Sequence, residues 1–194
     1  MSEVELGPNV TVDEGAIVGY EYDPDAGPTV VGADSTIRAG TTIYADVELG
    51  PGFTTGHDAL VREDTSVGPE VLLGSKSVLD GAVTVGANAS IQTGVYVPAE
   101  TTIGERVFLG PNAVLTNDPY PLRVPADLEG PTIEADATIG ANATILPSVT
   151  VGKRAFVAAG AVVVEDVPPE TLATGVPATV RPLPENLQRR NEAT

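Results

Sequence analysis

An aliphatic residue recurs at every sixth position from Val31 to Leu115. The run is Val31, Ile37, Ile43, Leu49, Thr55, Val61, Val67, Leu73, Leu79, Val85, Ile91, Val97, Ile103, Leu109 and Leu115, and Thr55 is its one departure. The same phase resumes at Ile133 and holds through Ile139, Ile145, Val151, Val157 and Val163. A helix would repeat near 3.6 residues and a half-buried strand at two. A sustained six instead predicts an all-β chain, a parallel β-helix built on hexapeptides.

The fifth place of each hexad is small or β-branched, as at Ser35, Thr41, Val47, Ala59, Thr65, Val71 and Ser77, with Phe53 the exception. The first and fifth places therefore point inward, and those between face out. Glycine recurs at the second place (Gly50, Gly68, Gly86, Gly104, Gly140, Gly152), where the pattern predicts a bend that a Cβ would obstruct. Three hexads, about 18 residues, close one triangular turn, and turns stack as parallel strands about 4.8 Å apart. So narrow a core suits branched aliphatics, consistent with an aromatic content of 4%.

The 194 residues predict a single β-helix domain over 1–181 and a C-terminal tail over 182–194. Leu6 to Asp23 forms a first turn, and an insertion near Tyr20–Pro28 shifts the phase by one residue. Val31–Tyr120 supplies five more turns and Ile133–Pro168 another two, about eight in all. Between them Pro119–Pro131 breaks the pattern while keeping its phase, so it either replaces one turn or is looped out of it. A projecting, proline-containing loop on a rigid scaffold is a place to expect function. In the tail, Pro184 to Arg190 has no hexads and predicts a short helix beginning near Pro184.

Charge narrows the partners. A net charge of −17 argues against nucleic acid and anionic membranes. The two lysines, Lys76 and Lys153, are outnumbered by arginine, and this balance predicts a protein of a high-salt cytoplasm. Screening over about 3 Å at molar salt removes most of the self-repulsion. Structure should then be lost at low salt, and a circular dichroism spectrum indifferent to salt would contradict that reading. No leader or membrane-spanning run is evident, which also points to the cytoplasm. With no cysteine, neither disulfides nor a thiol nucleophile are available.

The chemistry must lie on outward places and on the loop. His57, the lone histidine, is third in its hexad, so it faces out below Ser75, Thr93 and Pro111 in successive turns. A solvated side chain is the plain account of such a histidine. Two features favour a role: its hexad is the one that departs from the aliphatic rule, and Asp58 follows as a carboxylate that could orient the ring. The second group is Asn117-Asp118-Pro119-Tyr120-Pro121 at the loop root. Turn chemistry accounts for Asp118-Pro119 and leaves Tyr120 and Pro121 unexplained. Asn117 lies three turns and one face beyond His57, about 14 Å along the axis on an adjacent side. One chain does not bring the two together, so a shared site requires copies of the chain, and a cyclic trimer is a closed way to supply them.

These residues resemble the hexapeptide-repeat acyltransferases, and the resemblance covers nearly the whole chain. Thr54-Thr55-Gly56-His57-Asp58-Ala59-Leu60-Val61-Arg62-Glu63 is similar to a segment of nucleotide-sugar N-acetyltransferases with a Gly-His step before an Ile-Arg-Glu stretch. Val107 to Pro121, which contains Gly110-Pro111 and Thr116-Asn117-Asp118-Pro119-Tyr120-Pro121, resembles a second segment of those enzymes. Gly175-Val176-Pro177-Ala178 resembles an end motif of the wider family. The resemblance implies a left-handed coil, against the usual hand of parallel crossovers. It implies a homotrimer with sites in the clefts between chains. Acetyl-CoA would be the acyl donor, and a nucleotide-linked deoxyamino sugar the acceptor. By position, Asn117, Asp118 and Tyr120 would bind the sugar and His57 would lie at the reacting amine. Backbone at Gly140, Ala159 and Gly160 would meet the pantetheine, and Arg181 the adenine end. Thr179 stands where relatives often carry a basic residue, so Arg181, Lys153 or Arg154 would take the phosphate contact.

The residue types suit that chemistry. An amine attacking a thioester must lose a proton, and an imidazole with its pKa near 7 is the usual acceptor. A backbone N–H can hold the oxyanion, and no covalent intermediate or metal is needed. Rival readings are acylation of a hydroxyl, an amino-acid amine or a lipid precursor on the same prism, or a non-catalytic scaffold. A zinc hydratase on this fold would need three histidine ligands in a cleft, and each chain has one.

Overall fold

In the computed structural model, which describes residues 3–191, the chain winds as a left-handed parallel β-helix of about eight turns. Short strands line three flat faces of 8, 10 and 8 strands. One turn shows the plan: Val47–Leu49 lies on face 1, Thr54–Thr55 on face 2 and Leu60–Val61 on face 3. Each aliphatic place pairs with its equivalent one turn on, as Leu49 with Val67, Thr55 with Leu73 and Val61 with Leu79.

The hexad predicts burial correctly. Ile37, Ile43, Leu73, Leu79 and Ile91 are all 0% exposed. The fifth places are buried beside them, including Phe53. Most buried hydroxyls there find backbone partners: Ser77 Oγ donates to the Gln92 carbonyl at 2.7 Å, whereas Thr101 Oγ1 has no partner among the described residues. The departure at Thr55 has a structural account of the same kind. Its Oγ1 accepts the Arg38 N–H at 2.9 Å and lies 3.2 Å from Thr41 Oγ1 inside the coil.

The corners explain the rest of the hexad. The fourth place adopts left-handed backbone, with φ of 58° at Asp58 and 56° at Asn142. Asp and Asn tolerate this region better than most residues. Lys76 adopts it too, and its N–H is tied to the His57 carbonyl one turn below at 2.9 Å. The second-place glycines serve a different purpose from the bend that the pattern suggests. Gly50 lacks a positive φ, but a Cβ there would come within 2.6 Å of the Gly68 carbonyl carbon and Pro69 N in the next turn. Glycine is needed because stacked corners touch. Gly50→Ala should therefore lower the urea midpoint by an amount worth about 1–3 kcal/mol, whereas Glu48→Ala on exposed face 1 should leave it nearly unchanged.

One corner escapes this constraint. The 1–2 and 2–3 corners carry most of the second-place glycines. From Tyr44 upward the 3–1 corner carries side chains instead: Tyr44, Arg62, Asp80, Pro98, Thr116, Leu146 and Val164. Both insertions leave from this corner. A regular turn begun at Leu6 would close at Pro24, but Leu6 pairs with Val31, and the excess is taken up by the excursion near Tyr20–Pro28. A regular turn begun at Ile103 would close at Pro121, but Ile103 pairs with Ile133. The second loop is therefore an addition to one turn. It is looped out and replaces no turn.

At the first turn the inward Leu6 and Val12 are 51% and 38% exposed, because no described residue stacks beneath them. At the other end Thr171–Thr174 joins face 2 and folds back as an antiparallel hairpin with Thr179–Pro182. The tail then makes one 3-10 turn at Glu185–Leu187 and returns along face 2. Asn191 Nδ2 donates to the carbonyls of Arg106 (2.9 Å), Ala137 (3.1 Å) and Asp136 (3.3 Å), and its Oδ1 accepts from Thr138 Oγ1 at 3.1 Å. Among the described residues no helix is long and apolar enough to cross a membrane.

Candidate functional site

His57 follows Thr54–Thr55 at the 2–3 corner and is exposed. Its N–H donates to Ser75 Oγ at 3.0 Å and its carbonyl accepts from Lys76 N at 2.9 Å. The backbone is thus clamped to the turn above, an approach that the bare Gly56 permits. The imidazole takes no hydrogen bond from any described side chain, so it is presented to whatever lies outside the prism. Asp58 does not orient the ring within one chain. Its carboxylate leans over Gly40 in the turn beneath.

Gly140, Ala159 and Gly160 lie on this same corner, four and five turns above His57, about 19–24 Å along the axis. Gly140 must be bare, because the backbone of Ala158 and Ala159 crosses directly over it. Ala159 and Gly160 are exposed, and at Gly160 (φ 70°) nothing lies within 4 Å of where a Cβ would be. Backbone on this corner is open to a long ligand lying parallel to the axis. Arg181 stands apart. It is exposed on the outer hairpin strand, paired with Leu172 beyond face 2.

Asn117, Asp118 and Tyr120 sit together at the 3–1 corner, where the chain leaves Val114–Leu115. Asn117 Nδ2 donates to the Ala99 carbonyl at 3.2 Å, and its own carbonyl accepts from Glu129 N at 3.0 Å, closing the loop base. Asp118 Oδ1 accepts from Tyr120 N at 2.8 Å, an Asx turn that leaves its second oxygen outward. Glu129 is held in turn by Ser148, whose Oγ donates to Oε2 at 2.7 Å. Tyr120 is 57% exposed. His57 and Asn117 are thus three turns apart on different corners, about 14 Å along the axis. A single chain does not bring them together.

Below the loop root the same corner holds a polar chain that the motif reading passes over. The Arg62 guanidinium bonds Glu63 and reaches Asp80 at 3.2 Å, and its Cζ lies 5.7 Å from the centroid of the Tyr44 ring. Asp80 accepts the Tyr96 hydroxyl at 2.5 Å, and this bond pushes that phenol up to about 12. Glu63 first, and then Asp80, hold the Arg62 guanidinium charged. The signal was present in the sequence. Tyr44, Arg62 and Asp80 follow one another at steps of three hexads.

Comparison with known proteins agrees with this architecture. A model described as bacterial transferase hexapeptide (six repeats) matches residues 82–117 and 130–164, and one for the hexapeptide repeat of succinyl-transferase matches 64–99. No curated protein sequence matches the chain closely. Among solved structures, LpxA, a UDP-N-acetylglucosamine acyltransferase from Bacteroides fragilis 9343, superposes with a TM-score of 0.76 at 18% identity, covering 93% of this chain and 71% of that one. The UDP-N-acetylglucosamine acyltransferase of Campylobacter jejuni gives 0.57 at 18% identity over 92% and 75%. That of Francisella novicida gives 0.59 at 18% over 96% and 71%. At these identities the likeness is one of fold. The chain thus carries the hexapeptide repeats of bacterial transferases over residues 64–117 and 130–164, and it shares the coil of these acyltransferases.

Proposed function

We propose that the protein is an acetyl-CoA-dependent N-acetyltransferase acting on the amino group of a nucleotide-linked deoxyamino sugar, working as a homotrimer in a high-salt cytoplasm. The observation that carries this reading is the division of polar groups between two corners. The 2–3 corner offers His57 and, along the axis, the exposed backbone at Ala159 and Gly160 with Gly140 directly beneath. The 3–1 corner offers Asn117, Asp118 and Tyr120 at the loop root. Neither set makes an acyl-transfer site alone. When the 2–3 corner of one chain faces the 3–1 corner of the next, in prisms inclined to the three-fold axis so that the three-turn offset is taken up, both line one cleft, and the arrangement repeats it three times.

The donor lies along the 2–3 corner with its pantetheine against exposed backbone and its adenine end toward Arg181. The acceptor sugar is positioned by Asn117, the free oxygen of Asp118 and Tyr120. The sugar nitrogen attacks the thioester carbonyl carbon, and a C–N bond forms as the C–S bond breaks. The nitrogen's proton passes to the His57 imidazole, and the departing sulfur leaves as CoA thiolate, which takes up a proton. Holding both reactants in one cleft removes much of the entropic barrier.

Asn117→Ala and Asp118→Ala should raise the apparent KM for the sugar more than that for acetyl-CoA, because they act on acceptor binding. The test of the reading is thiol release from acetyl-CoA in molar salt across a panel of nucleotide-linked amino sugars and their hydroxyl counterparts. Turnover with an amino sugar supports it. Turnover confined to hydroxyl acceptors would make the enzyme an O-acyltransferase, and none with any acceptor would favour a scaffold.

A further inference from the structure

The chain has five tyrosines and no tryptophan, and all five tyrosines lie at or beside the 3–1 corner. Tyr120 belongs to the loop root and Tyr96 to the Asp80 bond already described. The other three cluster four to five turns below, about 19–24 Å from Asn117 along the axis. Tyr20 and Tyr44 have ring centroids 4.7 Å apart, and Tyr22 and Tyr44 6.1 Å apart. Tyr44 packs against the core, whereas Tyr20 and Tyr22 are 44% and 41% exposed.

From this arrangement we infer a second binding site on the 3–1 corner, a carbohydrate platform in which the exposed rings of Tyr20 and Tyr22 stack on a neutral sugar of an oligosaccharide, distinct from the sugar that is acetylated. Three features point to that ligand. First, the rings are rigidly presented. The Tyr22 hydroxyl donates to Asp46 Oδ2 at 2.6 Å, and Asp46 Oδ1 accepts Gly27 N at 2.7 Å, so the insertion is tied to the coil. Second, the surroundings supply acceptors for hydroxyl groups. A cleft of about 380 Å³ opens next to Asp46, walled by Pro28 of the insertion and by Val30, Glu48, Asp64 and Ser66 on face 1. Third, charge excludes the alternatives. Among the described residues Arg62 is the one cation in the cluster and is paired with Glu63 and Asp80, so a phosphate or nucleotide would meet carboxylates. A neutral polyol gives its apolar ring face to tyrosine and its hydroxyls to carboxylates.

The absence of tryptophan makes the test direct, because ultraviolet emission comes from these tyrosines. In a Tyr120→Phe background, which silences the loop reporter, the protein in molar salt is titrated with maltotriose and with tri-N-acetylchitotriose. The expected result is a saturable change in tyrosine emission with at least one of them. Tyr20→Ala and Tyr22→Ala should each weaken the apparent affinity by about tenfold, while Tyr22→Phe, which keeps the ring, stays within about twofold. Urea midpoints of the variants establish that each is folded. Acetyl transfer to a simple acceptor should not change in Tyr20→Ala or Tyr22→Ala, which separates this site from the proposed activity. The inference is overturned if neither saccharide alters the emission, or if the change survives both alanine substitutions. It is also overturned if light scattering shows self-association that Tyr22→Ala abolishes, since the patch would then be a contact between chains.

Discussion

Replacing His57 by alanine should lower kcat by roughly 10²- to 10⁴-fold, the range expected for a general base, and leave the coil folded. The imidazole supports no packing. It points outward, and the bonds that clamp this corner come from the His57 backbone to Ser75 and Lys76. Alanine preserves both, so the urea midpoint should stay within about 0.5 kcal/mol of the wild type. The effect should fall on turnover and only weakly on either KM, because the proton moves in the transition state. The acid side of the kcat/KM profile should differ between the wild type and His57→Ala, because a general base acts only in its unprotonated form. A variant with near-wild-type turnover and the same acidic limb would show that positioning alone drives the reaction.

The largest loss of stability should come from Arg106→Met. Arg106 grips Asp136 with two hydrogen bonds, Nε to Oδ1 at 2.8 Å and Nη2 to Oδ2 at 3.0 Å. The Asp136 side chain is 0% exposed, and Arg106 holds its carboxyl below the usual carboxylate range against the opposing effect of burial. Removing the guanidinium strands a buried carboxylate, which costs about 3–5 kcal/mol. The pH dependence follows from the sign of the shift. A depressed carboxyl pKa stabilises the wild type above the unfolded value of about 3.9, and that contribution is lost as pH falls through the lower folded value. In Arg106→Met the unpartnered, buried carboxyl is pushed up instead, so it is protonated at milder acidity. The gap between variant and wild type should therefore be widest near neutrality and narrow toward pH 3–4, as read from urea midpoints at each pH. A gap that does not vary with pH would mean that Arg106 contributes packing rather than charge.

The coil was legible because one number, six, decides both strand and corner, and three sixes decide which residues stack. The same arithmetic makes contacts outside the core readable wherever no insertion intervenes. Tyr44, Arg62 and Asp80 are each one full turn apart and touch in sequence. Contacts that cross an insertion are hidden by it. Arg106 and Asp136 fall out of that step because the loop lies between them, and Tyr22 reaches Asp46 from inside the other insertion. The hold of Asn191 on Arg106, Asp136 and Ala137 was unreadable for a different reason, because the tail has no hexad phase to extend. Two local readings needed correcting by packing. The second-place glycines answer to the turn stacked above them, and Thr55 is paired inside the coil. For the candidate site, counting corners is enough to separate His57 from Asn117. Counting gives no side-chain direction, so the turn of Asp58 toward Gly40 had to come from the structure.

The central claim is that acyl transfer takes place between chains, with His57 from one and Asn117 and Asp118 from the next. The direct measurement mixes two inactive partners. His57→Ala and the double variant Asn117→Ala/Asp118→Ala are assayed separately with the acceptor below its KM, then unfolded together, refolded as a mixture in molar salt and assayed again. If each cleft draws its two halves from neighbouring chains of a three-fold ring, random assembly at equal amounts makes about one cleft in four wild type in both halves. The mixture should then recover up to about a quarter of wild-type activity, although each parent alone has almost none. A mixture no more active than its parents, with hetero-assembly confirmed by a tag on one of them, would place both groups in the site of a single chain and contradict the account.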